Sequence, residues 1–521
     1  MNYEEISRML NNRLDLCSGL YARGFLFSNM NFDLMPNQEL ASWNSLDFAN
    51  GVLIHDPRIK CTTFGNDDDV QLLIGHAYNP IAMEPDEQQI LKSLAGKEGT
   101  AFFDKFNQLT GIFTYFHFKD GLLTVIGDPT CMQTTFYYTH QGHIVISSHT
   151  NLLNEITHFD WDPYVRHLVS YKFFKLLGNS LPGDLTQFKE IKRMVPNFTY
   201  CFNKDGVEIQ RFFCPHKQQV TVDEIVDSVS DILRKNLLMI TRKWQKPAIS
   251  MTGGCDSKTT LSCAKGLYDK FSYFSYQSSE AEQVDADAAK AICNALGLEH
   301  KTYVIPENES EIEDVPETGK LLRWNTGDIR NSNANDIRKR AYFQKNFGYD
   351  VEIKSWASEI GRAYYSKRFD GRTNFGQVPT PRKMTTCYKF FFHDRKLVKE
   401  TDQVFAEYAE KYFQSDKTHP VEWQDQFFWE FRVPSWNGLV ITGEHRYSFD
   451  ITIPYNNRLL LNLLLSAPLE SRINDEVYKR IRAKMNSQID ATGIAVQNLK
   501  HTQRRGKAEN LYYLLNTSIG F

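Results

Sequence analysis

Pro247-Ala248-Ile249-Ser250-Met251-Thr252-Gly253-Gly254-Cys255-Asp256-Ser257 is the stretch on which the fold turns. Its first five residues make a short apolar run of strand length, and a helix-compatible stretch runs from Ser257 to Leu267. The two glycines between them let backbone N–H groups approach an anion with no Cβ in the way. A helix N-terminus just beyond adds unpaired donors and the positive end of the helix dipole. Asp256 sits where a carboxylate can hold magnesium, an ion that takes oxygen ligands and bridges substrate phosphates. No G-K-[ST] ending follows, so the loop is not of the Walker type. Ser250, Thr252, Gly253, Gly254, Asp256 and Ser257 are the first candidates for holding the phosphates of ATP with Mg2+. Lys258 is a cation in the first helical turn, where it opposes the dipole. A phosphate nearby would explain that placement; a solvated lysine is the plain alternative.

The 521 residues allow about two to four domains. With 41% hydrophobic and 13% aromatic residues the chain can bury large cores, and a net charge of −3 offers no dedicated nucleic-acid or membrane surface. The nine cysteines are scattered, odd in number and form no C-x-x-C, which reads as reduced thiols in a cytoplasmic protein. The start lacks the basic and apolar regions of a secretory signal, and no uncharged apolar run is long enough to span a membrane.

An amphipathic helix is expected over residues 1 to 20, with Ile6, Met9, Leu10 and Leu14 on one face. From Gly24 to about 215, short apolar runs separated by turn residues predict a β-rich domain with a few helices. Near 220 the texture changes. A helix from Val222 to Leu238 precedes the opening strand. Next come a strand at Phe271 to Tyr276, a helix at Val284 to Leu296 capped by Gly297, and a strand at Lys301 to Ile305. Strands alternating with helices imply a parallel sheet with right-handed crossovers.

Thr252-Gly253-Gly254-Cys255-Asp256-Ser257 resembles the pyrophosphate loop, S-G-G-x-D-S, of enzymes that cut ATP between the α- and β-phosphates. Phe274-Ser275-Tyr276-Gln277, Asp285, Ala288-Ala289 and Leu296 to His300 follow in the order found in the asparagine synthetase family. Ser355 to Gly361 stands where that family has S-G-E-G-A-D-E, and Asp450 to Asn457 resembles its E-x-R-x-P-F-L-D segment. In the first half, Gly111-Ile112-Phe113, Gly127-Asp128, Phe136-Tyr137-Tyr138 and Ile74 to Asn79 are similar to motifs of the family's glutaminase domain.

The resemblance implies two domains. Residues 1–215 would be an Ntn-hydrolase-like αββα sandwich, a degenerate glutamine-amidotransferase-like domain. Residues 216–521 would be a pyrophosphate-loop, adenine nucleotide α-hydrolase-like domain with a parallel sheet and helices. The overall class is thus α/β and α+β. It also implies that Ser275 and Tyr276 border the adenine, that Glu359 joins Asp256 on magnesium, and that the basic helix Val477 to Arg482 supplies a catalytic cation. Lys479 is the choice there, with Arg472, Arg480, Arg482 and Lys484 as competitors. No cysteine begins the first matching strand, and Ile74 and His76 replace the glutamine pocket's Asn and Glu, so glutamine hydrolysis is not expected. This pattern is similar to the β-lactam synthetase, carbapenam synthetase and lasso-peptide cyclase branches, which take the amine from the substrate itself.

The expectation is therefore an AMP-forming carbon–nitrogen ligase with ATP and Mg2+ as cofactors. Its partners would be a small-molecule or peptide carboxylate and an amine, as in natural-product or polysaccharide biosynthesis. A homodimer is compatible with the sequence. A thiolation-type pyrophosphate-loop enzyme and a non-catalytic nucleotide-binding relative are the alternatives. Trp356 occupies the place of the family's first Glu, so the base that deprotonates the amine is open among Tyr364, Tyr365 and Glu352. Arg323, Trp324, Asp328 and Arg330 are candidates for an acceptor pocket, with a surface loop as the alternative; the basic run Lys500 to Lys507 reads as a lid, a binding strip or a solvated tail.

Overall fold

The computed structural model describes residues 3–30, 38–330, 332–371, 373–391, 394–413, 420–493 and 499–518. Among the described residues up to Arg211, twelve strands form two six-stranded antiparallel sheets. One has Phe25–Ser28 between His143–Ser147 and Gly51–His55; the other is centred on the long hairpin of Asp69–Tyr78 and Thr110–Lys119. The sheets face each other through aromatic side chains, with Phe25 and Phe48 set edge-on to Phe116. Helices cover both outer faces. Ile6 and Leu10 of helix Tyr3–Asn12 pack with Leu26 and Val145, whereas Ile90, Leu94 and Phe106 pack with Leu73 and Phe113. The result is an αββα sandwich.

The first helix is shorter than its apolar spacing suggests. It stops at Asn12 and a 3-10 turn, Leu14–Gly19, leads into the first strand; Leu14 itself is exposed. Helix Pro163–Ser170 is followed by a separate 3-10 turn, Phe174–Leu177.

Helix Val222–Lys243 opens the second half with a capping box, in which Thr221 and Glu224 satisfy each other's backbone N–H groups. It extends past Leu238 because Met239 and Ile240 continue the buried face. A five-stranded parallel sheet follows, in the order His300–Val304, Ser272–Gln277, Pro247–Ser250, Val351–Ile353, Ile451–Thr452. The first strand in sequence is the middle one, so the crossovers reverse direction there. In open α/β sheets that reversal leaves a crevice at the carboxyl ends of the strands. The glycine loop leaves the sheet at that point. Helix Glu280–Ala295 starts four residues earlier than predicted, and Gly297 adopts φ +69° at its end.

One hydrophobic cluster runs through both halves, from Phe25 and Phe116 in the sandwich to Ile249 and Ile353 in the parallel sheet. Polar groups stitch the seam. Asn456 donates to Gly111 O (2.6 Å) and Asp128 Oδ1 (2.9 Å), Asn457 donates to Thr110 Oγ1 (3.0 Å), and fully buried Arg458 donates to Asn197 Oδ1 (3.1 Å) and Gly127 O (2.9 Å). No helix among the described residues is long and apolar enough to cross a membrane.

His76 and His149 lie buried near this seam. His76 stands edge-on to Trp244, 5.0 Å between ring centres, and Asp450 lies 3.7 Å away. Burial pushes His76 down to about 4 and His149 down to about 3 from the usual 6.5, with Arg446 adding repulsion at both. A depressed folded value means that the unfolded chain takes up the proton first. Stability is therefore full above pH 6.5 and falls as the pH drops through the folded values. At pH 4 each histidine accounts for a loss of about 3 kcal/mol. Urea midpoints measured at pH 7 and pH 4.5 should fall with pH, and less so in His76→Phe. An equal drop in the variant would show that His76 does not carry this term.

Candidate active site

The loop after strand Pro247–Ser250 is braced by its own side chains. Ser257 Oγ donates to Thr252 O (2.9 Å), and Gly254 N–H donates to Thr252 Oγ1 (3.1 Å). Asp285 accepts from Gly253 N–H (3.3 Å). Gly254 has an ordinary φ of −72°, so its value here is an unobstructed backbone, not a left-handed turn. No side chain caps helix Cys255–Cys263, which leaves its first N–H groups directed at the crevice. The helix is shorter than the run to Leu267, because the chain turns at Gly266 with φ +84°.

A cavity of about 300 Å³ opens above the loop. Ser250, Thr252, Asp256, Ser257 and Glu359 line it toward the loop, and Ser275 and Tyr276 line it at the end of the neighbouring strand. Ser275 Oγ donates to Met251 O (2.6 Å), tying that strand to the loop. Seven predicted residues thus share one cavity, and Gly253 and Gly254 form the loop beside it.

Asp256 carries the central charge. One oxygen, Oδ2, accepts from Arg362 Nη1 (2.6 Å); the other, Oδ1, is buried with no hydrogen-bond partner. Burial, and then the Asp256 charge, raise half-buried Glu359 to about 7. A divalent cation would remove that repulsion and satisfy Oδ1. No group of three or more His, Cys, Asp or Glu that could hold a metal exists among the described residues. Two carboxylates completed by phosphate oxygens and water suit Mg2+, which is bound in that way at phosphate sites.

Lys479 and Lys258 are not brought into the cavity. Lys479 is exposed on helix Glu476–Asn486, whose inner face presents Val477, Tyr478, Ile481 and Arg482. Tyr478 Oη donates to Ser358 O (2.6 Å), and Arg482 Nη1 donates to Thr259 Oγ1 (3.1 Å). Arg480 pairs with Asp223 and Lys484 with Asp227, both on helix Val222–Lys243. Arg472 is fully buried against Asp425 and Glu422. Lys258 Nζ lies 3.8 Å from Asp490 Oδ1, its side chain 10% exposed.

Among the described residues, Lys354 lines the cavity and Arg362 stands behind Asp256; the sequence singled out neither. Arg362 bridges Asp256 to Asp475, donating from Nε (2.8 Å) and Nη2 (3.1 Å) to the latter. Lys354 follows strand Val351–Ile353 and lines the cavity, with Nζ 2.8 Å from Glu352 Oε1 and 5.2 Å from the Trp356 ring centre. Its position at the carboxyl end of a central strand was the available signal. Glu352 is fully buried in that pair and Tyr365 is fully buried among phenylalanines, so of the three candidate bases only Tyr364 reaches a cavity, the one beyond Glu359. Arg323 pairs with Asp328, Arg330 with Glu444, and Trp324 Nε1 donates to Tyr21 Oη (2.7 Å); these are packing contacts outside the cavity.

At the head of the first sandwich strand, a Cβ on Gly24 would come within 2.6 Å of Tyr21 O, so no cysteine fits there. Helix Tyr3–Asn12 and 3-10 turn Leu14–Gly19 precede it. Ile74 and His76 are both buried.

No protein-family profile and no curated protein matches the chain. Among solved structures it is similar to an allosteric regulatory enzyme of purine biosynthesis (10% identity, TM-score 0.24), covering 52% of this chain and 62% of that one, under two thirds of its length. It is also similar to glutamine phosphoribosylpyrophosphate amidotransferase from B. subtilis (12%, TM-score 0.23, 70% and 74% covered). A third is glutamine-dependent NAD+ synthetase from Acinetobacter baumannii (13%, TM-score 0.21, 45% and 55% covered). Scores this low leave the reading of the site to its own geometry.

Proposed function

We propose that the chain is an AMP-forming ligase that joins a carboxylate to an amine, without glutamine hydrolysis. The observation that carries this is Asp256, with one orphaned buried oxygen beside Glu359 and an uncapped helix start, at the reversal point of the parallel sheet. ATP would lie with its adenine toward Ser275 and Tyr276 and its β- and γ-phosphates on the loop. A substrate carboxylate oxygen attacks the α-phosphorus, the α–β bridging bond breaks, and pyrophosphate leaves. The amine then attacks the acyl carbon, loses a proton, and AMP departs. Asp256 and Glu359 would hold Mg2+, which when bound neutralises charge on the phosphates and the leaving group. Arg362 lies beside Asp256 and takes the role expected of Lys479, meeting the charge that gathers on pyrophosphate. Tyr478 fixes the turn bearing Glu359 and Arg362 through Ser358. Residues 1–215, as a degenerate amidotransferase-like domain, act as scaffold for residues 216–521.

The test is incubation of the protein with α-labelled ATP, Mg2+ and a small-molecule extract of the source cells. Label is expected in AMP, dependent on extract. Label in ADP instead, or no ATP binding by calorimetry, would overturn the ligase reading.

A further inference from the structure

A second cavity, of about 370 Å³, adjoins the first. Glu359 lines both, and Arg362, already bound to Asp256, forms the near wall of the second. The far walls are helix Tyr364–Arg368, carrying Tyr364, Lys367 and Arg368, and helix Leu499–Ser518, carrying Arg505 and Glu509. Gly506 also faces it; there the helix crosses close to residue 370, and a Cβ would meet Asp370 N at 3.4 Å.

The charges in these walls are unequal. Four cations, Arg362, Lys367, Arg368 and Arg505, face two carboxylates, Glu359 and Glu509. Arg368 and Arg505 share Glu509, while Arg362 and Lys367 share Asp475 behind the wall. Arg368, whose side chain is 10% exposed, keeps a buried Nη2 with no hydrogen-bond partner. Buried guanidinium N–H groups are seldom left unpaired, because losing a water partner without gaining another is costly. Tyr364, stacked on Phe428 at 4.4 Å, gives the cavity an apolar side. Its volume falls within the range of small-molecule sites.

We propose that this cavity binds the acyl substrate, and that this substrate carries a second anionic group, held by Arg368 and Arg505, besides the carboxylate to be activated beside Arg362. This rests on the adenylation reading for its chemistry, although the acid site can be probed alone. The carboxylate must reach the α-phosphate from a side that neither the adenine nor the loop occupies, and the side at Glu359, which lines both cavities, is such a side. Guanidinium forks suit a carboxylate or phosphate at the far end. Arg505, in the run Lys500 to Lys507, thus contributes to a binding wall, and the side chains of residues 499–503 lie outside the described residues.

The test is calorimetric titration of the full-length protein, without nucleotide, with unbranched dicarboxylates from succinate to pimelate, each beside the monocarboxylate of equal length. At least one dicarboxylate is expected to bind at least tenfold more tightly than its partner. Arg505→Gln, a change at a half-exposed side chain, should lower that preference at least fivefold and leave Mg·ATP affinity unchanged; Arg368→Met should do the same if it folds. Equal affinities for mono- and dicarboxylates throughout, or a preference unaffected by Arg505→Gln, would overturn the proposal. So would Arg505-dependent binding of inorganic pyrophosphate that no dicarboxylate displaces, which would assign the cavity to the leaving group. Because nucleotide is absent, failure here is separate from failure to form AMP.

Discussion

Asp256→Ala is expected to slow AMP formation about a thousandfold while the protein stays folded. The two effects separate because, among the described residues, the Asp256 side chain hydrogen-bonds to Arg362 alone, and Arg362 keeps its two bonds to Asp475 when Asp256 is gone. Catalysis has no such substitute. On the adenylation reading, losing one of the two carboxylates proposed to hold Mg2+ would remove charge neutralisation as pyrophosphate departs, and about 4 kcal/mol of barrier corresponds to a thousandfold in rate. Calorimetry offers a check that needs no substrate: the gain in ATP affinity on adding Mg2+ should disappear in Asp256→Ala. Lys479→Ala, by contrast, changes an exposed side chain and should leave AMP formation within about twofold. A large rate loss in Lys479→Ala would return that lysine to the site and displace Arg362 as the cation that meets the departing pyrophosphate.

The largest effect on stability is expected at Arg472. Its guanidinium has no solvent exposure and bonds to Asp425, 1% exposed, and to Glu422. Burial pushes Asp425 up to about 6 even with Arg472 holding it down. Arg472→Met leaves that carboxylate buried without its counter-charge, a class of change that costs about 3–5 kcal/mol. The sign with pH follows. In the variant the folded Asp425 value rises further above its unfolded one, so the loss is greatest at neutral pH and shrinks in acid, where both states are protonated. Arg472→Met with Asp425→Leu should recover much of the stability, since a buried ion pair is often replaceable by apolar groups. Urea denaturation of both variants at pH 7 decides the matter: a double variant no more stable than the single one would mean that the lost packing of Arg472, and not the stranded charge, sets the cost.

What could be read in the sequence was local. The glycine loop and its flanking strand and helix depend on neighbours a few positions away. The alternation of strands and helices pointed to the parallel sheet for the same reason. Helix ends were less accessible, because Met239 and Ile240 prolong a helix through packing against distant residues. The cation at the glycine loop was not legible. Val477 to Arg482 is basic on several sides, and which side turns inward depends on Tyr478 meeting Ser358, 120 positions away. Arg362 looks unremarkable in sequence and matters only because Asp475 and Asp256 converge on it. Lys354 is similar: a single lysine after a short strand acquires meaning from the sheet order.

The continuous core has a consequence for how the molecule comes apart. Asn456, Asn457 and Arg458 belong to one short segment of the second half, yet nearly all their side-chain bonds are to the first. Parting the halves would strand those donors and wet a shared apolar surface, so opening the seam and melting the sheets are one event. Unfolding should be all-or-none on both sides of residue 215, and amide exchange in the two sets of strands should share one slow limit. A sandwich can be retained for that reason alone: it is half of the molecule's cooperativity.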